Sequence, residues 1–495
     1  MPRPSWIRPR AALMGLLLAG HAQAADPDLA FDVTILHPSH AGWAYVGSAV
    51  AGGDFDGDGY DDLAVGAFGE RRVYLYPGSP QGLRTEAVTI LEASQGDDDT
   101  YGSALAALDV DGDGYDDLAV GASDAGTAFV YQGGPAGLSE ASERYFLPFQ
   151  PSSAISIYGH AVTDAGDMDG DGLADVGFGA PYGGLDGLYI LAGPADTDTE
   201  GEDATAYLRG MPGSMCGHGA EIADVNGDDL EDALVGCYSD VSYGGSGVTY
   251  VFYGPVSGDY DPDDADAVLY STSASEYSGR WIRGDGDLNA DGVNDVMVAA
   301  PFGSGAAMTG GLIYVFLGPV SGEIDLPSAD ARLLGSTAGG YLGEYRTLIM
   351  GDSDGDGADD VLAAAYYASE AGVFFSPTSG DYEMASADIQ ITTTSAMYFG
   401  SGLDLADIDG NGVGDLIVGS AYENSNAGGS YFYWDLRPGA YTEADAEAHF
   451  LGEAGASAGI TNTFADMSGD GFPDVVVGAS GLDGNGGFYV QDQVQ

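Results

Sequence analysis

The chain has 495 residues, with 78 acidic side chains against 13 basic ones, all of them Arg, for a formal net charge of −65. So acidic a surface repels phosphate backbones and anionic headgroups, which excludes a protein that tracks nucleic acid or binds membranes by charge. Yet 44% of residues are hydrophobic and 11% aromatic, enough for a large core, and the 81 Gly call for many tight turns in a repetitive β architecture.

In chain order, the first element reads as an export signal. Arg3, Arg8 and Arg10 precede the apolar run 11–20, and Ala22-Gln23-Ala24 offers a small-x-small cleavage site. Residues 1–24 are therefore expected to be a cleaved signal peptide, delivering the protein to the periplasm or the cell exterior. The apolar run is about half the roughly 20 residues that a spanning helix needs. Residues 31–36 (FDVTIL) then read as an isolated β-strand.

Next comes an acidic run, Asp54–Asp62, followed by an apolar segment ending in Gly66-Ala67. The same nine-residue pattern begins again at Asp109, Asp167, Asp224, Asp287, Asp352, Asp407 and Asp466. Upstream of most copies stands an aromatic or small residue with Gly, and downstream come a Gly-rich turn, a β-branched and aromatic run, and a fourth short apolar run. Four short strands in each unit of about 59 residues predict an all-β fold, an eight-bladed β-propeller of four-stranded antiparallel blades. Blades are expected to start near residues 45, 99, 156, 214, 275, 339, 396 and 456, within a propeller spanning 25–495. The last copy lacks a fourth strand; residues 31–36 supply one and close the ring, which removes a sheet edge. Seven blades plus an extra repeat is the alternative.

Each acidic run places side-chain oxygens at positions 1, 3, 5 and 9 and a backbone carbonyl at position 7. In copy order these positions are Asp54, Asp56, Asp58, Tyr60 and Asp62; Asp109, Asp111, Asp113, Tyr115 and Asp117; Asp167, Asp169, Asp171, Leu173 and Asp175; and Asp224, Asn226, Asp228, Leu230 and Asp232. The other four are Asp287, Asn289, Asp291, Val293 and Asp295; Asp352, Asp354, Asp356, Ala358 and Asp360; Asp407, Asp409, Asn411, Val413 and Asp415; and Asp466, Ser468, Asp470, Phe472 and Asp474. Hard oxygens wrapped around a sharp turn at position 6 suit calcium, Ca2+, with up to eight ions in the ring. Solvated acidic turns would explain one or two copies, but not an Asp at position 9 in all eight. Two copies depart: Asp229 replaces the position-6 Gly, so the turn there must accept strain, and Ser468 weakens the eighth loop.

These residues resemble the FG-GAP repeat family, known from the β-propeller of integrin α subunits and from secreted bacterial proteins. Tyr158-Gly159, the loop Asp167–Asp175 and Gly179-Ala180-Pro181 carry the resemblance, with their equivalents in the other copies. It implies calcium in the hairpin between the first two strands of each blade, on one face of the ring, and a partner on the opposite face. The chain differs from integrins in having eight copies rather than seven, so the ligand does not carry over.

On that opposite face the sequence places recurring aromatics after each Gly-Ala segment: Phe68, Tyr182, Tyr238, Phe302, Tyr366 and Tyr422. These either stack against a glycan or pack between blades. Just after the upstream Gly, small residues give way to His160, His218, Arg280 and Glu344 in four consecutive blades, which marks a candidate ligand site. Cys216 and Cys237 flank one acidic loop, where antiparallel pairing brings them together as a disulfide or leaves two buried thiols. Arg283-Gly284-Asp285 spells an integrin-ligand tripeptide, but it falls in or at the end of an inner strand. The leading expectation is a calcium-stabilised extracellular recognition or adhesion module with a glycan or protein ligand and no catalytic residues. A calcium-dependent polysaccharide lyase, with His160 and His218 as its paired candidates, and a structural surface protein are the alternatives.

Overall fold

The computed structural model describes residues 33–36, 45–84, 87, 89–92, 100–122, 127–139, 143–147, 162–181, 186–194, 199–200, 204–344, 347–393, 398–421, 427–452, 457–479 and 487–491. The proposed signal segment, His160, Tyr182 and Tyr422, and the pair Tyr158-Gly159 lie outside these residues. The strands gather into eight sheets, one per acidic motif. Blade one pairs Val46–Gly53, Asp62–Ala67, Arg72–Tyr76 and Thr89–Glu92 in an antiparallel meander. Blade four repeats it with Cys216–Ala223, Asp232–Cys237, Val248–Phe252 and Ala267–Tyr270. The seven-blade alternative is thereby excluded.

Ring closure follows the sequence reading. Val33–Leu36 pairs antiparallel with Gly487–Gln491 and becomes the outermost strand of blade eight. Hydrogen bonds also cross the seam between blades eight and one, from Asp61 N–H to the Asp466 carbonyl at 3.0 Å and from Thr461 Oγ1 to the Gly47 carbonyl at 2.9 Å.

Every blade has the expected four antiparallel strands, and five blades gain one more. Blades two to six each carry a fifth strand, parallel to the fourth and lent by the following blade. Gly258–Tyr260, for example, lies between the third and fourth strands of blade four but pairs with Ala206–Arg209 of blade three. Arginines fix some of these loans: Arg332 of blade five grips Asp381 of the lent strand with Nε and Nη2, each at 2.8 Å. Arg209 pairs with Asp259 of the strand lent to blade three through Nη2 alone.

The core lies between neighbouring sheets. The second strands, such as DLAVGA at 62–67 and DVMVAA at 295–300, are buried along their whole length, because both sheet faces meet another blade. The fourth strands alternate, as in AYLR at 206–209, with one face in the core and the other toward the rim. One cluster joins Val65 and Tyr74 of blade one to Val476 and Phe488 of blade eight, so packing continues across the seam.

Glycine sets how closely the blades approach. A Cβ on Gly66 would meet the Gly102 carbonyl oxygen of the next blade at 2.0 Å, and one on Gly478 would meet that of Gly47 at 2.4 Å. At these seams a second strand presses against the bend that starts its neighbour's inner strand. In blade four, Cys216 faces Cys237 across the inner hairpin and the two form a disulfide.

Two stability changes are expected. Gly66→Val forces blades one and two apart and costs about 3 kcal/mol, read as a lower urea midpoint at unchanged m-value. Replacing both Cys216 and Cys237 by Ser costs about 3 kcal/mol for a loop of this length, checked by comparing urea midpoints of the oxidised wild type and the variant.

Candidate metal loops and the opposite face

All forty loop residues singled out in the sequence lie in the described hairpins between first and second strands, on one face of the ring. Each loop is knit by its own carboxylates. In the first, Asp54 accepts from the N–H groups of Asp58 and Gly59 at 3.0 Å each, Asp56 from Asp58 at 3.1 Å, and Asp58 from Tyr60 at 3.1 Å. Position 6 requires a left-handed backbone: Gly59 has φ 91°, and a Cβ there would meet nothing within 4 Å, so conformation rather than space selects glycine. Asp229 adopts the same region at φ 66°, the strain expected from its sequence, and Ala290 does so at position 4 with φ 55°.

In five loops three carboxylates each offer an oxygen, all within 4.8 Å of one another: Asp54, Asp56 and Asp58; Asp109, Asp111 and Asp117; Asp167, Asp169 and Asp175; Asp352, Asp354 and Asp356; and Asp407, Asp409 and Asp415. The other three loops carry Asn226, Asn289 or Ser468 at position 3. Asp109 Oδ1, Asp167 Oδ1 and Ser468 Oγ are buried without a hydrogen-bond partner among the described residues. Orphaned oxygens beside crowded carboxylates fit a hard cation, and calcium would supply the missing positive charge and coordination.

Position 9 has a second task. Asp117 Oδ2 accepts from the Val110 N–H at position 2 (2.8 Å), and its Oδ1 from Gly133 beyond the third strand (2.6 Å). Asp232, Asp295 and Asp415 repeat this pattern. Burial outweighs these N–H donors and pushes Asp62, Asp117, Asp175, Asp232 and Asp415 up to about 7, and Asp295 and Asp360 to about 6.

Sequence reasoning passed over positions 2 and 8. Position 2 is an apolar plug, with Phe55, Val110, Met168, Val225, Leu288, Ile408 and Met467 all buried. Its carbonyl reaches the next blade, as in Gly134 N–H to Phe55 O at 3.0 Å and Val256 N–H to Met168 O at 2.7 Å. Where position 8 is Asp, it clasps the preceding loop. Asp116 N–H donates to the Asp54 carbonyl at 3.1 Å and its carboxylate accepts from the Asp54 N–H at 2.9 Å; Asp359 does the same to Asp287, and Asp61 to Asp466. The seven apolar residues at position 2 were the available signal.

The opposite face joins most of the remaining candidates. Arg280 pairs with Glu344 at 2.9 Å and lies 5.4 Å from the Tyr238 ring centroid, while His218 Nδ1 is 3.3 Å from the Arg280 carbonyl. Trp281, missed in the sequence, packs 5.2 Å from His218. Phe68 stacks on Tyr45 of its own blade at 4.6 Å, whereas Phe302 and Tyr366 contact rings of the next blade, so these two pack between blades. Arg283-Gly284-Asp285 lies in the innermost strand Ile282–Gly286, where Arg283 is held by the Leu348 carbonyl at 3.0 Å and by Glu221 at 3.4 Å.

Residues 54–120 match the family model described as an FG-GAP-like repeat. The chain is 28% identical to "Integrin alpha pat-2" of Caenorhabditis elegans over 46% of its own length and 20% of that protein. It is 32% identical to "Integrin alpha-IIb" of Mus musculus over 32% of its length and 16% of that protein, and 30% identical to "Integrin alpha-V" of Gallus gallus over 39% and 20%. The chain thus spans at most 20% of the length of these curated relatives.

The raised position-9 carboxylates fix a pH dependence for the cation-free protein. Their folded values of about 6 to 7 lie above the 3.8 of the free side chain, so folding favours the protonated form. That stability is complete below about pH 4 and is lost as pH rises through 7. In excess chelator the melting temperature is expected to fall between pH 5 and 8; a rise across that window would contradict the assignment.

Proposed function

Starting from an FG-GAP-repeat propeller similar to integrin α subunits, we propose that the chain is a calcium-binding extracellular recognition or adhesion module. The observation that carries this reading is the ring of acidic hairpins on one face, several bonded to the neighbouring blade and three holding orphaned buried oxygens. Calcium in these loops neutralises carboxylates that otherwise repel at close range. Because positions 2 and 8 of the same loops reach the adjacent blade, the ions stiffen the ring and so hold the opposite face in one shape. Extracellular calcium sites work at roughly 10⁻⁴–10⁻³ M ion, which agrees with export by residues 1–24. Partner recognition falls to the face bearing Arg280, Glu344, His218 and Tyr238. No observation favours the lyase: His218 is buried and directed at a backbone carbonyl.

Native mass spectrometry of the protein in millimolar calcium is expected to show several bound ions, up to eight, with one fewer in Asp54→Ala. Chelation is expected to lower the melting temperature at pH 7.5. A metal-free spectrum and a melt unmoved by chelator would overturn the calcium role.

A further inference from the structure

Among the described residues, no strand or connection of the following blade covers the outer edge of blade seven. In blades three to six the lent strand covers the fourth strand in one register. Its first residue donates an N–H to the carbonyl just ahead of that strand, from Gly258 to Thr205 at 2.7 Å, Gly322 to Asp266 at 2.9 Å, Gly380 to Asp330 at 2.9 Å and Gly439 to Asp388 at 2.8 Å. Its third residue, Tyr260, Ile324, Tyr382 or Tyr441, lies opposite Leu208, Leu269, Leu333 or Ile391 and packs against the core. Those four opposite residues are fully buried. Blades eight and one lack the lent strand, but Leu83 and Leu138, from the third-to-fourth connections of blades one and two, are buried in their cores. Blade seven has neither cover, because the third and fourth strands of blade eight come from opposite ends of the chain. Its fourth strand is Ala448–Leu451, where His449 is exposed, Phe450 half-buried and Leu451 43% exposed. The counterparts of Leu451 under lent strands, Arg209, Tyr270, Leu334 and Thr392, are all half-buried.

A strand edge presents a row of backbone N–H and C=O groups that another strand matches in full. The Glu447 carbonyl stands where those of Thr205, Asp266, Asp330 and Asp388 accept the incoming N–H. The four covered blades thus specify the occupant's shape. It is an extended, parallel segment with a small residue opposite Ala448 and an aromatic or branched apolar residue opposite Phe450. Its charge follows from the surroundings. Acids on lent strands meet arginines in blades three and five, as Arg209–Asp259 and Arg332–Asp381. The fourth strand of blade seven has no arginine, and Glu443, Asp445 and Glu447 lie just ahead of it. A basic residue is attracted to these carboxylates and an acidic one repelled. A second copy of the chain fits poorly, since it brings another −65 of charge. Four residues of edge also fall far short of the roughly 800 Å² that a stable interface needs on each side. We propose that the outer strand of blade seven docks an extended, basic segment of a partner polypeptide as a fifth, parallel strand. This edge lies on the rim, apart from the face assigned to recognition above.

The test uses the full, calcium-loaded chain and labelled peptides copying residues 377–385, which include Gly380–Glu383, the strand lent to blade five. One peptide is unchanged, one carries Asp381→Lys and Glu383→Lys, and a third adds Tyr382→Ala to that lysine pair. Fluorescence anisotropy at physiological salt is expected to show saturable binding of the lysine peptide, weakened about tenfold or more by Tyr382→Ala. Phe450→Ala and Leu451→Ser leave the protein's charge unchanged and are expected to weaken binding to a similar degree. Ile90→Ser, on the outer strand of blade one, should leave it intact. Melting temperatures confirm that each variant folds, and hydrogen exchange is expected to slow at residues 448–451 on binding. A folded protein that ignores all three peptides overturns the proposal, as does binding untouched by both edge variants. Equal or tighter binding of the unchanged peptide overturns the basic partner. A dimer seen in sedimentation and lost in Leu451→Ser overturns it in favour of a second copy. Binding that appears only after residues 25–30 are removed does so in favour of the chain's own N-terminal residues. None of these outcomes bears on the calcium loops, so the recognition reading stands or falls separately.

Discussion

The nine-residue acidic hairpin is the constraint on which the molecule depends. It crowds carboxylates into a turn, which water or a cation must then compensate, and the same turn is the clasp between blades. The two roles share a residue: the position-1 Asp gathers N–H groups inside its loop with its carboxylate, and with its backbone N–H and C=O it bonds to position 8 of the next blade where that residue is Asp. A change in charge at one loop is therefore felt at a blade seam. The −65 net charge, which would favour expansion in an ordinary globular domain, is here concentrated where a cation can act on it.

The second constraint is steric. Blades approach until a glycine Cα in one strand rests on a carbonyl of the next blade, as Gly66 does on Gly102. In blades five and six the pairing is reversed, with Ala299 and Ala364 supplying the Cβ and Gly343 and Gly400 the room. One glycine per seam is needed, on either side. This accounts for part of the high glycine content and for its recurrence at fixed places in the repeat.

The eight blades and the closing strand were legible because both depend on features internal to one repeat: strand length, apolar runs and a missing fourth strand. The lent fifth strands were not, although residues 255–259, 319–323 and 377–381 repeat a Pro-x-Ser-Gly-acid pattern. At two to four residues, rich in Gly and Asp, they read as turns, and only the neighbouring blade's edge makes them strands. The same reason hid position 8. Its partners lie in another repeat, and a pattern written one repeat at a time records it as any residue. Of the predicted ligand set, His218, Arg280 and Glu344 come together because they occupy matching positions in adjacent blades, and Tyr238, at the end of a second strand, joins them; Trp281 has no counterpart in the repeat to reveal it.

The two faces follow from how the strands run. Every first-to-second hairpin and every third-to-fourth connection falls on the acidic side, so that face repeats from blade to blade and bonds directly across several of its seams. The opposite side receives the second-to-third turns and the links between blades, where segment lengths differ and residues are freer to diverge. A scaffold fixed by one face leaves the other to vary without loss of the ring. The Arg280–Glu344 pair lies on that freer face, and there the residue before the inner strand is left-handed in six blades, at Tyr45, Met215, Tyr277, Tyr341, Tyr398 and Ser457. Because Met215 and Ser457 share that angle, the conformational cost belongs to the repeat position, which bends the chain into its inner strand, and not to the ring that some blades place there.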